Sequence, residues 1–166
     1  MMNVYLVRHA VAHERNPARY PNDAQRPLTA AGKQKFRKAA RGLALCLPKG
    51  SLVLTSPFIR ARETAAILIK VAKLADAVEC GELAAGAPAR KAFELLRSRK
   101  EQAVVLVGHE PDLSTLLSAA LAGARGRFKI EFKKGGAACL RFEKDVEPGR
   151  ATLVWMMPPR VLRALK

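Results

Sequence analysis

Acidic residues and aromatic rings are both scarce in this chain. Of 166 residues only 14 are Asp or Glu against 30 Lys or Arg, and aromatics make up 5%. The formal charge of +16 points to anionic partners. Nucleic acid is nevertheless not the expected one: the basic residues are spread through every segment, form no long run, and do not alternate with rings that could stack on bases. A solvated basic surface accounts for that spread.

Cysteine is also sparse. Cys46, Cys80 and Cys139 are far apart and odd in number, with no C-x-x-C pair, which fits neither a disulfide framework nor a zinc site. A reducing cytoplasm is the expected compartment. Long apolar runs are missing too: none reaches the ~18 residues of a membrane span, and the run before Arg8 is too short for a signal-peptide core. Repeats, low-complexity tracts and linkers are likewise absent, so residues 1–166 are expected to form one domain, soluble and monomeric. A chain of this length buries roughly 70% of its unfolded surface.

What is present is a set of apolar runs that end on charged residues. Val4-Tyr5-Leu6-Val7 is apolar without alternation, the mark of a strand buried on both faces of a parallel sheet, and it stops on Arg8-His9. Ala103-Val104-Val105-Leu106-Val107-Gly108 ends the same way on His109, and Leu52-Val53-Leu54-Thr55-Ser56-Pro57 is followed closely by Arg60. If the three strands are parallel, Arg8, His9, Arg60 and His109 converge on the carboxyl edge of the sheet, where open α/β folds bind ligands.

Between these runs lie helical patterns. Thr29 is a cap for a helix carrying Phe36, Ala39, Ala40 and Leu43 inward. A second helix runs from Arg60, with Thr64, Ile67, Leu68 and Val71 on one face, and places Arg60 in its first turn. The helix dipole disfavours a cation there and favours a bound anion, so an arginine in that place makes sense with a phosphate or carboxylate to face. A third helix follows Pro88, and Pro111 and Asp112 open a fourth after His109. The last third reads as a hairpin of 130–132 with 137–142 around Gly135-Gly136, a further strand over 151–156, and a short basic helix after Pro158-Pro159.

Two arginines beside two histidines repel a divalent metal ion and suit a phosphoryl group, which carries about −1.5 to −2 charge and matches arginine forks. One neutral imidazole can attack phosphorus and hold the group covalently, while the surrounding cations stabilise the charge on the equatorial oxygens. No metal or other cofactor is expected.

Five blocks of sequence carry a family likeness. Leu6-Val7-Arg8-His9-Ala10, Arg26-Pro27-Leu28-Thr29, Thr55-Ser56-Pro57-Phe58-Ile59-Arg60-Ala61 with Thr64, Val107-Gly108-His109-Glu110-Pro111-Asp112-Leu113 and Lys134-Gly135-Gly136-Ala137 resemble the histidine phosphatase superfamily. Their order and the chain length are similar to its small SixA-type phosphohistidine phosphatases. The resemblance implies a three-layer α/β/α sandwich with a mostly parallel mixed sheet, phosphoglycerate mutase-like. It also implies that His9 is the phosphorylated nucleophile, that Arg8 and Arg60 grip the phosphoryl oxygens, and that His109 stabilises the transition state. Ala10 and Val11 depart from the glycine and acidic residue that many members carry there.

The usual proton donor of the family is a carboxylate after the second helix. In that region Glu82 is the candidate, with Glu79 close by and either able to serve only as a loop charge. A phosphohistidine leaving group, an imidazole of pKa about 6.5, can take its own proton and tolerates a poor acid, whereas an alkoxide needs a good one. Arg26 is a candidate for substrate binding or for a supporting place beside the site. Ser56 and Thr55 could donate to phosphate or only turn the strand. The expected function is therefore a metal-independent phosphatase acting on phosphohistidine of a phosphotransfer-type protein. The alternatives are a phosphatase of small phosphomonoesters, and a phosphoanion or nucleic-acid binding protein with an inactive site.

Overall fold

The computed structural model describes residues 1–165 except Ala124 and Arg127. Six strands form one mixed sheet: β1 (Met2–Arg8), β2 (Leu52–Thr55), β3 (Val78–Glu79), β4 (Ala103–Gly108), β5 (Ala137–Phe142) and β6 (Ala151–Met157), in the order β3-β2-β4-β1-β5-β6. The pairs β3–β2, β2–β4 and β4–β1 are parallel, whereas β5 is antiparallel to both β1 and β6. The expected parallel edge is thus built from β1, β4 and β2, with β4 in the middle.

The unbroken apolar runs have a direct cause. Val4 and Leu6 of β1 pack with Leu54 and Leu106 under α3 (Ala89–Arg97) and α4 (Asp112–Ala122). Tyr5 and Val7 pack with Val53 and Val105 under α1 (Ala30–Cys46), α2 (Ile59–Ala72) and the short α5 (Pro159–Leu162). Alternate residues point to opposite faces, and helices cover both, so every position must be apolar. This is the three-layer α/β/α arrangement.

The helix starts follow local chemistry. Thr29 Oγ1 accepts the Gly32 amide at 2.9 Å and caps α1, whose Phe36, Ala39, Ala40 and Leu43 are buried. In α2 the buried face is Arg60, Ala61, Thr64, Ala65 and Leu68. The expected stripe through Ile67 and Val71 is therefore rotated: those two are only half-buried, because the buried face follows Arg60 and Thr64 toward the sheet edge.

Two expectations for the last third are corrected. Residues 130–132 form no strand; β5 already has β1 on one edge and β6 on the other, so it has no free edge to pair with them. The apolar signal there is Phe132 dropping into the core at 1% exposure. Pro159 also does not precede the last helix but is its first residue, where proline's missing amide costs nothing.

Candidate active site

The register of β1 on β4 sets Arg8 opposite Gly108, so His9 and His109 leave adjacent parallel strands side by side. The His9 amide donates to the Gly108 carbonyl at 3.0 Å, and the two rings lie 5.2 Å apart between centroids. Both are buried, at 6% and 2% exposure. His9 Nδ1 is 2.7 Å from the Ala10 carbonyl, which can only accept. That contact assigns the ring proton to Nδ1 and leaves the lone pair on Nε2.

Burial pushes the His9 pKa down to about 4, with Arg60, Arg8 and Lys134 adding in the same direction against the Ala10 hydrogen bond. Burial, then Arg60, then His9 push that of His109 down to about 3. Both imidazoles are therefore neutral near pH 7, so His109 enters the site as a hydrogen-bonding group and not as a cation. Its Nε2 lies 2.7 Å from Ser56 Oγ, which also accepts the Phe58 amide at 3.3 Å. Ser56 is fully buried, and Nε2 is the one acceptor among the described residues that its hydroxyl reaches, so Ser56 O–H is assigned as donor to Nε2 and the His109 proton to Nδ1.

Arg60 stands in the first turn of α2 at 4% exposure, as the spacing predicted. Its Nη1 donates to the Asp23 carbonyl at 2.8 Å and its Nη2 to the Asp23 carboxylate at 3.0 Å. Arg26 takes the other carboxylate oxygen of Asp23 at 2.9 Å through Nε and donates from Nη1 to the His13 carbonyl at 2.7 Å. The Arg26 hydrogen bond, followed by the charges of Arg60 and Arg26, holds the Asp23 carboxyl below the usual carboxylate range despite some desolvation. Thr64, one turn on, donates to the Arg60 carbonyl at 2.6 Å and accepts the Ala10 amide at 3.0 Å, tying α2 to the chain just after His9.

Arg8 is half-buried, and its Nη1 donates to the Phe132 carbonyl at 2.5 Å. Behind it the Gly135 amide reaches the carbonyls of Arg8 and His9 at 3.1 and 3.2 Å. Gly135 has φ +77°, a conformation that L side chains rarely adopt. Among the described residues, four buried side-chain nitrogens have no hydrogen-bond partner, and three of them are Arg8 Nε, Arg60 Nε and His109 Nδ1. Buried donors are normally paired, so three orphans on these residues mark a place suited to an anion.

The carboxylates separate. Glu79 is drawn off by Arg62 at 2.8 Å. Glu82 makes no ion pair among the described residues and lines a small cavity of about 20 Å³ together with His109 and Asp112. Asp112 Oδ2 accepts the Gly86 amide at 2.9 Å, and Glu110 accepts both the amide and the hydroxyl of Ser114, so these two acids shape the start of α4. The polar contacts of Arg26 go to Asp23 and His13. Sequence reasoning missed Asp23 altogether; Arg26 at i+3 was its only local sign. Among the described residues no group of three His, Cys, Asp or Glu is placed to hold a metal, and no helix is long and apolar enough to cross a membrane.

Comparison with known proteins agrees with this fold. Residues 4–84 match the histidine phosphatase superfamily, branch 1. An uncharacterized protein of a Picosynechococcus species is 35% identical over 144 residues, covering 84% of this chain and 85% of its own. A crystal structure from Agrobacterium tumefaciens assigned as phosphohistidine phosphatase SixA superposes with a TM-score of 0.76 at 27% identity, over 95% of this chain and 98% of that one. A protein histidine phosphatase SixA complexed with tungstate shares the fold, with a TM-score of 0.79 at 24% identity over 97% and 99% of the two chains. The chain belongs to the histidine phosphatase superfamily, as a SixA-like member with phosphatase activity that runs through a histidine.

Proposed function

We propose that this protein removes phosphoryl groups from phosphohistidine on a protein, through a covalent intermediate on His9. The observation that carries the proposal is the meeting of a lone pair with unpaired donors. His9 Nε2 is neutral and free at the sheet edge, while Arg8 Nε, Arg60 Nε and His109 Nδ1 are buried N–H groups with no partner among the described residues.

In the first step His9 Nε2 attacks phosphorus and the P–N bond of the substrate phosphohistidine breaks. The substrate imidazole, protonated from water on its other ring nitrogen, takes the P–N electron pair and leaves neutral. In the second step water attacks phosphorus, the P–N bond to His9 breaks, and phosphate departs with His9 regenerated. Arg8 and Arg60 hold the phosphoryl oxygens, and His109 donates from Nδ1 to the charge that spreads over them. Catalysis of this kind is mainly positioning and electrostatics.

Substrate choice follows from the acid. Glu82, beside His109 in the small cavity, makes neither an ion pair nor a hydrogen bond among the described residues, whereas Asp112 and Glu110 are held by the Gly86 amide and by Ser114, so Glu82 is the candidate proton donor. An imidazole leaving group depends on it little; an alkoxide would depend on it strongly, since proton donation contributes about 10²–10⁴-fold. The likeness of the whole chain to the SixA structure from Agrobacterium tumefaciens supports the same substrate class.

The test is phosphate release from a histidine-phosphorylated carrier protein beside a small phosphomonoester, in chelator, for the wild type and His9→Ala. Fast release from the carrier, lost in the variant, is the expected result. Hydrolysis of the ester with the carrier untouched would overturn the substrate while leaving the chemistry.

A further inference from the structure

A second feature opens at the same sheet edge. The antiparallel register sets Val7 of β1 opposite Ala137, and Ala137 opposite Met157. The end of β6 and the turn at Lys133–Gly136 therefore lie on the same side of the sheet as His9. Between them is a groove of about 870 Å³ that has Arg8 as one wall. Arg8 is thus shared between the phosphoryl site and this groove.

The groove has two kinds of surface. Met156, Met157 and Pro158, all half-buried, give it an apolar lining, whereas Lys134, Arg160 and Arg163 stand exposed on its rim. Its single acid, Glu131, is taken by Lys133. Lys134, Arg160 and Arg163 make no ion pair among the described residues. Lys134 is near enough to His9 to lower its proton affinity. These cations line one groove that reaches Arg8, with Lys134 at its end toward the reacting ring.

We infer that this groove docks the acidic, amphipathic face of the phosphoprotein substrate, with carboxylates on Lys134, Arg160 and Arg163 and an apolar ridge against Met156 and Met157. The inference rests on the protein-phosphohistidine reading above and extends it to how the partner is chosen. A polyanion such as nucleic acid or polyphosphate would satisfy the rim and leave the methionines in water; an acidic helix face satisfies both. Rim charges act on encounter rate and its salt dependence, and the apolar contact slows dissociation.

Two measurements test it, both on the full chain. In the first, a fluorescent helical peptide with Leu along one face and Glu on the other is titrated against the wild type, with a scrambled peptide of the same composition and polyphosphate as comparators. The amphipathic peptide is expected to bind, weaken with salt, and lose about tenfold affinity in Arg160→Glu/Arg163→Glu. A double reversal of equal charge at the opposite end of the sheet, Lys70→Glu/Lys100→Glu, with both residues exposed in the last turn of α2 and just before β4, is expected to change affinity by less than twofold. Equal binding of the scrambled peptide or polyphosphate, or equal loss in the two variants, overturns the groove.

In the second, kcat/KM is compared for the histidine-phosphorylated carrier and for p-nitrophenyl phosphate, which is too small to span site and groove. The groove variant is expected to lose about tenfold on the carrier, through KM, and to keep its rate on the ester. Unchanged carrier turnover in that variant overturns the docking role. If the wild type releases nothing from the carrier while the peptide results stand, the phosphohistidine reading falls and the groove survives.

Discussion

Arg60 directs both of its terminal nitrogens at one residue, Asp23, with Nη1 2.8 Å from the backbone carbonyl and Nη2 3.0 Å from the carboxylate. The guanidinium is aimed by the first residue of a short 3-10 turn, Asp23–Gln25, and only its Nε is left without a partner among the described residues. Asp23 is itself held by Arg26, so the candidate phosphate grip is a chain of three charged side chains.

Removing the middle of that chain should loosen the grip without removing it. Asp23→Ala is expected to lower kcat/KM by roughly 10- to 100-fold, the range of one or two charge-assisted hydrogen bonds. Inhibition by inorganic phosphate should weaken in parallel, and Asp23→Asn should recover part of both. Phosphate inhibition unchanged in Asp23→Ala would mean that Asp23 does not position Arg60.

Ser56 offers a separate probe of His109. Ser56→Ala takes away the hydroxyl 2.7 Å from Nε2 and frees the ring tautomer. A fall of about tenfold in kcat with KM near the wild-type value is expected, as for a contact that matters in the transition state. A purely structural Ser56 would instead lower the melting temperature and leave kcat per folded molecule unchanged.

The histidines also set a pH dependence. The pKa of His9 is held down to about 4 in the folded chain, against an ordinary value of 6.5. Above pH 6.5 both folded and unfolded forms are neutral, and the contribution to stability is fully present. As pH falls from 6.5 toward 4 the unfolded chain takes up the proton first, so stability is lost across that window. His109, held down to about 3, extends the loss further. The melting temperature should drop from pH 7 to pH 4 and do so less steeply in His9→Asn. In the same titration kcat/KM should show no limb for His9 near 6.5, because its lone pair remains available down to about pH 4.

The tail helix makes a stability prediction. Gly42 of α1 lies so close to α5 that a Cβ placed there would sit 1.9 Å from the Leu162 carbonyl. Gly42→Ala must push α5 away, at a cost of about 1–3 kcal/mol. Thermal unfolding measures it; a midpoint equal to that of the wild type would mean that the α1–α5 contact yields freely.

The strands of the parallel edge and the residues at their ends are legible in consecutive residues. Val4–Val7 and Val104–Val107 are apolar at every position because helices cover both faces, and that need is written locally in consecutive residues. Arg8, His9, Arg60 and His109 could therefore be placed at one edge from their positions alone. Residues 130–132 misled for the same reason: Phe132 is apolar because it enters the core, and a pattern cannot say that β5 already has both edges filled. Tertiary structure alone decided the partners. Asp23 meets Arg60 across 37 residues and Ser56 meets His109 across 53, and no local periodicity encodes such pairs. It also decided the protonation of the site, since two histidines with ordinary affinities in the unfolded chain become neutral groups only when burial and neighbouring guanidinium groups disfavour the charged form.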